Sequence, residues 1–171
     1  MASGRLAKKL GLPLVDFNKF ETPLDIAFDG ADKVDRKLNL IKGLGGALVR
    51  EKIADYRAET LVIMVGPDKM ATWLSGIVPV EVIPMAEKAV KRDLMEKLGA
   101  LKIETRMNGR RKFVSDNSNL ILHVEFGPIK NPPVLEQRIN EIAGVVDNGL
   151  FTKKKPVVIV GMTDGTARTI R

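Results

Sequence analysis

The chain has 171 residues, 44% hydrophobic and 29% charged, a balance that is ordinary for one globular domain or two small ones. Its 28 Lys and Arg exceed its 21 Asp and Glu, so the net charge of +7 favours a polyanion, a membrane surface or a small phosphorylated substrate. With no cysteine and one histidine, the sequence excludes disulfides, thiolate metal sites and histidine-rich metal sites.

Nucleic acid and membrane are the least favoured of these partners. Aromatic residues make up only 5% of the chain, no nucleic-acid-binding motif accompanies the basic residues, and Lys153–Lys155 is the one run of three lysines. No apolar stretch approaches the roughly 20 residues of a membrane span, and no secretory signal pattern opens the sequence. We therefore expect no membrane and no nucleic-acid partner, a small phosphorylated substrate and a cytoplasmic location. Salt-sensitive nucleic-acid binding stays as a minor alternative.

The first predicted elements lead to a pair of acids. Residues 3–10 predict a short helix closed by Gly11. Residues 25–28 then predict a short buried strand that ends abruptly in the run Asp29–Asp32. Because open α/β sheets bind ligands in the crevice at the carboxyl ends of their strands, the acids of this run are candidate site residues.

The next elements deliver a lysine to a glycine-rich turn. An apolar run at 39–42 places Lys42 before the turn at 43–46, and a helical pattern follows from 47 to 58. Its apolar positions are Ala47, Leu48, Ile53 and Ala54, and its polar positions are Arg50, Glu51, Lys52 and Asp55. The turn thus lies at a helix N-terminus, where glycines allow close approach and free N–H groups favour an anion or an oxyanion.

Each of these pieces also has an ordinary structural explanation. Two acids three residues apart are common in solvated turns, a lysine before glycines is usually exposed, and an acid such as Glu51 stabilises the first turn of a helix. Their concentration within 23 positions, 29 to 51, favours a reaction site.

A second predicted strand completes a parallel unit. Residues 60–65 form an apolar run of the buried-strand type that ends at Gly66, and Lys69 follows just beyond it. Strand, glycine turn, helix and strand predict a parallel βαβ unit with a right-handed crossover. Lys69 then lies at the same sheet edge as Asp29, although the residues alone explain it equally well as an exposed loop lysine.

From residue 79 onward the pattern of elements changes. The sequence predicts strands at 80–83, 101–106, 112–115 and 119–126, a turn at 108–109, and helices at 85–98 and 133–143. This β-α-β-β-α-β order indicates a ferredoxin-like module. The apolar face predicted for its first helix contains Met85, Ala86, Ala89, Val90, Leu94, Met95 and Leu98. His123 alternates to the more polar face of the last strand, which predicts a surface histidine rather than a catalytic one.

A last apolar strand at 156–160 is predicted to return to the first sheet. The expected fold class is therefore α/β, with a Rossmann-like parallel-sheet domain built discontinuously from residues 1–75 and 149–171. The ferredoxin-like α+β domain, residues 76–148, is inserted into it.

Several motifs in the same order resemble one known family. The runs DGAD at 29–32 and NLIKGLGGALVREK at 39–52 resemble ribose-5-phosphate isomerase of the A type. Further matching segments are Asp68-Lys69, 79–84, 115–117, 126–129, 149–151 and Asp164-Gly165. The resemblance implies interconversion of D-ribose 5-phosphate and D-ribulose 5-phosphate through an enediolate, in the non-oxidative pentose phosphate pathway, by a homodimer or homotetramer without a cofactor. The chemistry needs no metal, because one carboxylate can move the proton while a cation stabilises the oxyanion.

The resemblance also implies roles for individual residues. Glu51 would carry the proton as general base and acid, Asp29 would assist ring opening, and Asp32 would orient sugar hydroxyls. Lys42 would stabilise the oxygen charge, and Lys69 would contact the phosphate. The implied substrate-binding set is Asp29, Gly30, Ala31, Asp32, Lys42, Gly43, Gly45, Gly46 and Lys69.

The sequence departs from the family pattern in places. Lys33 stands where an acid or amide is usual, and Leu44 interrupts a run usually made of glycines. The family normally begins with an earlier strand, a phosphate loop like Gly-Thr-Gly-Ser-Thr and a helix, so we expect the parallel-sheet domain to be incomplete at its N-terminus. This motivates the alternative of a truncated or non-catalytic module that binds sugar phosphates.

Overall fold

The structure, a computed structural model, describes residues 2–19 and 21–171. Its helices are α1 (Ala2–Lys9), α2 (Leu48–Arg57), α3 (Glu87–Leu98) and α4 (Pro132–Asn140). Its strands are β1 (Leu24–Asp29), β2 (Lys33–Val34), β3 (Leu40–Ile41), β4 (Ala58–Val65), β5 (Ile77–Val82), β6 (Lys102–Thr105), β7 (Met107–Asn108), β8 (Arg111–Lys112), β9 (Leu120–Glu125), β10 (Val145–Asn148), β11 (Leu150–Phe151), β12 (Val157–Gly161) and β13 (Ala167–Ile170). None of the helices described has both the length and the apolar character needed to cross a membrane.

The first sheet has the strand order β1-β4-β12-β13. β1, β4 and β12 run parallel, and β13 returns antiparallel to β12. The predicted parallel pairing and the return of the last apolar strand are therefore confirmed, whereas the polar sequence ARTI of β13 does not predict a strand. The parallel order brings Asp29, at the end of β1, and Val65, at the end of β4, to the same edge.

One face of this sheet is covered and the other is open. Leu61, Ile63 and Val65 of β4 are buried in a hydrophobic core. Ile26 and Phe28 of β1 and Met64 of β4 alternate to the opposite face, where they are 45%, 60% and 51% exposed. The expectation that β1 is a buried strand is therefore wrong. Among the described residues β1 is the edge strand of its sheet, and its outer face is exposed to solvent.

The second sheet has the order β10-β5-β9-β6, and its neighbouring strands are all antiparallel. α3 and α4 contribute Val90, Leu94 and Ile139 to the buried core of this sheet. The strands of this sheet and the two helices follow the predicted β-α-β-β-α-β order, as β5-α3-β6-β9-α4-β10, and the short hairpin β7-β8 lies between β6 and β9. The strand predicted at 112–115 is shorter than expected, since β8 ends at Lys112.

The apolar face predicted for the first helix of this region is too wide. Met85 is 92% exposed because residues 84–86 form a separate 3-10 turn before α3 begins. Met95 is 53% exposed, while Val90 and Leu94, one helical turn apart, are the buried positions of α3. A narrow stripe is enough here, because α3 packs against one sheet face only.

His123 is half-buried, not at the surface as predicted. It lies on β9, which is an interior strand between β5 and β6, so its neighbours shield it on both sides. Burial lowers the pKa of this imidazole, and the nearby Arg106 guanidinium lowers it further.

A small sheet with the order β11-β3-β2 joins the two larger ones. Leu40 and Phe151 of this sheet belong to the core of the first sheet, and Ile41 and Leu150 belong to the core of the second. Because successive strand residues point to opposite faces, the two-residue strand β3 is anchored in both cores. This anchoring fixes the position of the next residue, Lys42.

Candidate active site

A cleft of about 230 Å³ opens at the carboxyl end of β1. The residues lining it are Asp29, Gly30, Ala31, Asp32, Lys42, Gly43, Gly45 and Glu51. All of them belong to the site set expected from the sequence, so the structure brings the acids, the lysine and the glycine turn together. Gly46 and Lys69, the other members of that set, do not line the cleft.

Backbone N–H groups hold the two acids of the DGAD run. Asp29 Oδ1 accepts a hydrogen bond from the N–H of Gly30 at 2.7 Å. The N–H of Asp32 donates to the carbonyl oxygen of Ile41 at 2.8 Å, which keeps the run beside β3. Asp32 Oδ2 accepts from the N–H of Leu44 at 3.2 Å, so this carboxylate ties the DGAD run to the glycine turn.

Lys42 lies at the floor of the cleft with only 2% of its surface exposed. Its Nζ donates to Asp29 Oδ2 and to the carbonyl oxygen of Gly30, both at 2.6 Å. The Phe151 ring lies beside it, with 5.3 Å between Nζ and the ring centroid. An ammonium is costly to bury unless it is paired and hydrogen-bonded, and these contacts meet that requirement.

α2 adds two further carboxylates around the same ammonium. Glu51 Oε2 is 3.6 Å and Asp55 Oδ2 is 3.7 Å from Lys42 Nζ. The two acids are four residues apart, so they lie on one face of the helix. The sequence pattern singles out Glu51 and leaves Asp55 among the polar positions of the helix. The i, i+4 spacing between the two acids is the sequence signal that points to Asp55 as well.

The pKa values of both helix acids are raised. Burial raises the pKa of Glu51, the Lys42 ammonium partly offsets this, and Asp29 adds to the rise. Burial raises the pKa of Asp55 to about 6, again against the opposing effect of Lys42. Carboxyl groups with pKa values moved toward neutrality are suited to take up and release a proton near physiological pH.

Beside Leu48, which is buried as its apolar position predicts, the buried side of α2 carries the charged residues Lys52 and Asp55. Lys52 is buried, and its Nζ pairs with Glu136 at 3.1 Å and with Asp147 at 2.7 Å. Ile53, assigned to the apolar side, is 46% exposed. The helix turns its acidic and basic side chains inward because partners from α4, β10 and the cleft are placed there to meet them.

The glycine turn is closed by a hydrogen bond from the N–H of Gly46 to the carbonyl oxygen of Gly43 at 2.9 Å. Both residues have φ of +92°, a left-handed conformation that favours glycine. A Cβ on Gly46 would lie 2.6 Å from Phe113 and from Arg106 Nη1. Gly46 therefore faces the side chains of Phe113 and Arg106, which explains why it does not line the cleft. The predicted helix N-terminus after the turn is confirmed at Leu48.

Lys69 lies in a 3-10 turn, Pro67–Lys69, just past the end of β4. Its Nζ pairs with Asp68 at 3.2 Å, and its side chain is 44% exposed. It is at the expected edge of the sheet but outside the cleft that holds the acids and Lys42.

Within residues 2–19 and 21–171, no group of three or more His, Asp or Glu side chains is arranged to hold a metal ion. The groups that converge on the cleft are suited instead to proton transfer by carboxylates and to stabilising negative charge on oxygen with one ammonium.

Comparison with known proteins places the site in context. The family model described as ribose 5-phosphate isomerase A (phosphoriboisomerase A) matches residues 1–165. The ribose-5-phosphate isomerase A of Trichodesmium erythraeum is 44% identical over 97% of this chain and 70% of its own length. That of Thermococcus kodakarensis is 39% identical over 97% of this chain and 73% of its own length.

Solved structures give the same answer for the fold. Ribose 5-phosphate isomerase A from Methanocaldococcus jannaschii superposes with a TM-score of 0.91 at 39% identity, covering 100% of this chain and 75% of that one. A D-ribose-5-phosphate isomerase in complex with phospho-erythronic acid superposes with a TM-score of 0.92 at 38% identity, covering 99% of this chain and 74% of that one.

Proposed function

The chain belongs to the ribose 5-phosphate isomerase A family, and we propose that it interconverts D-ribose 5-phosphate and D-ribulose 5-phosphate in the non-oxidative pentose phosphate pathway. The observation that carries the proposal is the single ammonium of Lys42 held between the carboxylates of Asp29 and Glu51 in a cleft. The related isomerase solved with phospho-erythronic acid supports a sugar phosphate as the ligand.

The reaction moves one proton between neighbouring carbons. Removing the C2 proton of the open-chain aldose gives an enediolate, and returning that proton to C1 leaves the carbonyl group on C2. A hydroxyl proton passes from O2 to O1, so no second reactant is consumed. One carboxylate held against both carbons can carry the proton, and a cation beside the two oxygens stabilises the enediolate.

We assign the transfer of the carbon-bound proton to Glu51. Its raised pKa makes it a stronger base than an ordinary glutamate, and it is mostly ionised at pH values above that pKa. Lys42 stabilises the developing oxyanion, together with the positive end of α2 at the glycine turn. Asp29 assists ring opening, and Asp32 orients sugar hydroxyls. Lys69, exposed at the same edge of the sheet, is the proposed contact for the phosphate.

The remaining members of the substrate-binding set are backbone positions. Gly30, Ala31, Gly43 and Gly45 line the cleft, and Gly46 holds the turn. The alternative of a truncated or non-catalytic sugar-phosphate-binding module predicts binding without turnover, and no relative named above favours it.

The test is conversion of ribose 5-phosphate by the purified chain and by its Glu51→Gln variant, with a chelator present. We expect the parent chain to turn over, and the variant to retain substrate binding while kcat falls roughly a hundredfold or more, the usual size of a general-base contribution. Glu96→Gln, an exposed change on α3, is the matched control and should behave like the parent. A folded parent chain without turnover would contradict the proposed activity, and an active Glu51→Gln variant would contradict the role of Glu51.

We also propose that the protein acts in the cytoplasm as a homodimer or homotetramer. Large apolar side chains exposed on the outer face of the first sheet, including Phe28 and Met64, support self-association, and sedimentation equilibrium is the measurement. The proposed division into a site domain of residues 1–75 plus 149–171 and an inserted domain of residues 76–148 is supported by the strand composition of the two large sheets.

A further inference from the structure

Asp55 is a buried carboxyl group directly behind the proposed site. It lies one helical turn after Glu51, is 2% exposed, and does not line the cleft. Its Oδ2 has no hydrogen-bond partner within the described part of the chain. The Lys42 ammonium, at 3.7 Å from this oxygen, is its counter-charge.

Asp55 occupies a position that is energetically unfavourable for a carboxyl group. A buried carboxyl group with an oxygen that accepts no hydrogen bond destabilises the fold, and a small apolar residue on this helix face would avoid that cost. The charged groups that face Asp55 are Lys42 from the end of β3, Asp29 from the end of β1 and Glu51 from its own helix. Asp55 thus competes with Glu51 and Asp29 for a single positive charge.

We propose that Asp55 is a positioning residue for the isomerase reaction, which holds the Lys42 ammonium at the floor of the cleft from behind and keeps Glu51 strongly basic. This inference rests on the proposed function of the cleft. The negative charge of Asp55 offsets part of the field that Lys42 exerts on Glu51, and that field would otherwise weaken Glu51 as a base. The two helix acids then titrate as a coupled pair, not as independent groups.

The experiment compares the parent chain with Asp55→Asn and Asp55→Glu across pH 5 to 9. Asp55→Asn keeps the shape and removes the charge that Asp55 carries above its pKa of about 6, so we expect kcat to fall at neutral and alkaline pH and to change little at pH 5. At pH 8 we expect kcat to fall roughly three- to tenfold, because Glu51 is a weaker base in the variant. We expect KM to change less than about twofold, because Asp55 does not line the cleft. Asp55→Glu, which restores the charge, should recover most of kcat.

The control is Asp93→Asn, which removes a carboxylate paired with Lys97 on α3, away from the cleft. An Asp55→Asn variant whose kcat profile matches the parent's, or whose only defect is a lower melting temperature, would overturn the inference and leave Asp55 a structural residue.

The role can also be judged without turnover, from the titration of the Glu51 carboxyl carbon followed by NMR. The Glu51 signal should respond to the titration of Asp55 near pH 6 in the parent and in Asp93→Asn, and should lose that second step in Asp55→Asn. An unchanged Glu51 titration in Asp55→Asn would overturn the inference, whereas an inactive parent chain would overturn the proposed function alone.

Discussion

Among the described residues, the ammonium of Lys42 is the one positive charge at the floor of the cleft, and carboxylates of Asp29, Glu51 and Asp55 lie within 4 Å of it. Glu51 and Asp55 depend on Lys42 for their charged forms, because burial raises the pKa of both carboxyl groups and the ammonium opposes that rise. The separations of the three carboxylates from the ammonium, 2.6, 3.6 and 3.7 Å, show that Asp29 holds the ammonium directly while the helix acids share it at longer range.

Replacing this lysine tests both roles of the charge. For Lys42→Met we expect kcat to fall roughly a hundredfold or more, the usual effect of losing one electrostatic stabiliser of an oxyanion. We also expect a stability loss of about 3 kcal/mol at pH 7, because buried carboxylates lose their partner. The loss should be smaller at pH 5, since Asp55, with a pKa of about 6, is then mostly protonated.

Urea unfolding at both pH values measures this effect. Lys88→Met, an exposed change on α3, is the control. An equal loss of stability at pH 5 and pH 7 would show that Lys42 contributes packing and not charge.

The glycine turn and α2 act together as one element of the site. The turn ends where α2 begins, and α2 carries Glu51 and Asp55 on one side and Lys52 on a neighbouring side. Phe151 lies between the two lysines, with its ring centroid 5.3 Å from Lys42 Nζ and 4.8 Å from Lys52 Nζ. The pairing of Lys52 with Glu136 and Asp147 therefore anchors the same helix that presents the proposed base.

Alanine substitutions at two neighbouring glycines of the turn should differ in how much they destabilise the fold. Gly46→Ala should cost about 1–3 kcal/mol, because a Cβ is strained at φ of +92° and would meet the Phe113 ring at 2.6 Å. Gly45→Ala should cost less than about 0.5 kcal/mol, because its Cβ meets open space. Urea unfolding of the two variants checks the contrast, and equal destabilisation would argue against the turn geometry described above.

At the scale of the whole molecule, the site lies where the two large sheets are joined by the small one. The anchoring of β3 in both cores places Lys42, and the parallel order of the first sheet places Asp29 opposite it. Stability and activity are linked here, because the groups proposed for catalysis are also the buried charges.

This link predicts how stability depends on pH. The pKa of Asp55 is about 6 in the folded chain against 3.8 for an ordinary aspartate, so the folded state binds more protons between these values. The free energy of unfolding should then fall as pH rises from 4 to 6, by on the order of 1–3 kcal/mol from this group, and level off above. The raised pKa of Glu51 acts in the same direction.

Glu87 acts in the opposite direction. Hydrogen bonds from Lys112 and Thr105 lower its pKa to about 2, so its contribution is full above pH 4.5 and is lost as pH falls toward 2. We therefore expect maximal stability at about pH 4, where the opposing contributions of Asp55 and Glu87 balance. In urea unfolding between pH 4 and 7, Asp55→Asn should flatten the decline, and parallel curves for parent and variant would contradict the pKa assigned to Asp55.

Much of the site was predictable from neighbouring residues in the chain. The acids after β1, the lysine before the glycines and the helix start after the turn depend on local strand, turn and helix preferences, and all are found as predicted. The inward charge of α2 was not predictable in this way. In the helical pattern Lys52 is an ordinary polar position. Its burial depends on Glu136 and Asp147, which lie 84 and 95 residues away in the chain.

The sequence by itself therefore determined the order and type of most of the longer elements, the family, and the acids, lysine and glycines that line the cleft, because spacing and turn chemistry act between near neighbours. Only the tertiary structure decided that β1 lies at the edge of its sheet within the described residues, that Lys69 stands outside the cleft and that Asp55 faces Lys42. Burial and electrostatic pairing depend on which distant segments come together, and that information is not contained in any single stretch of the chain.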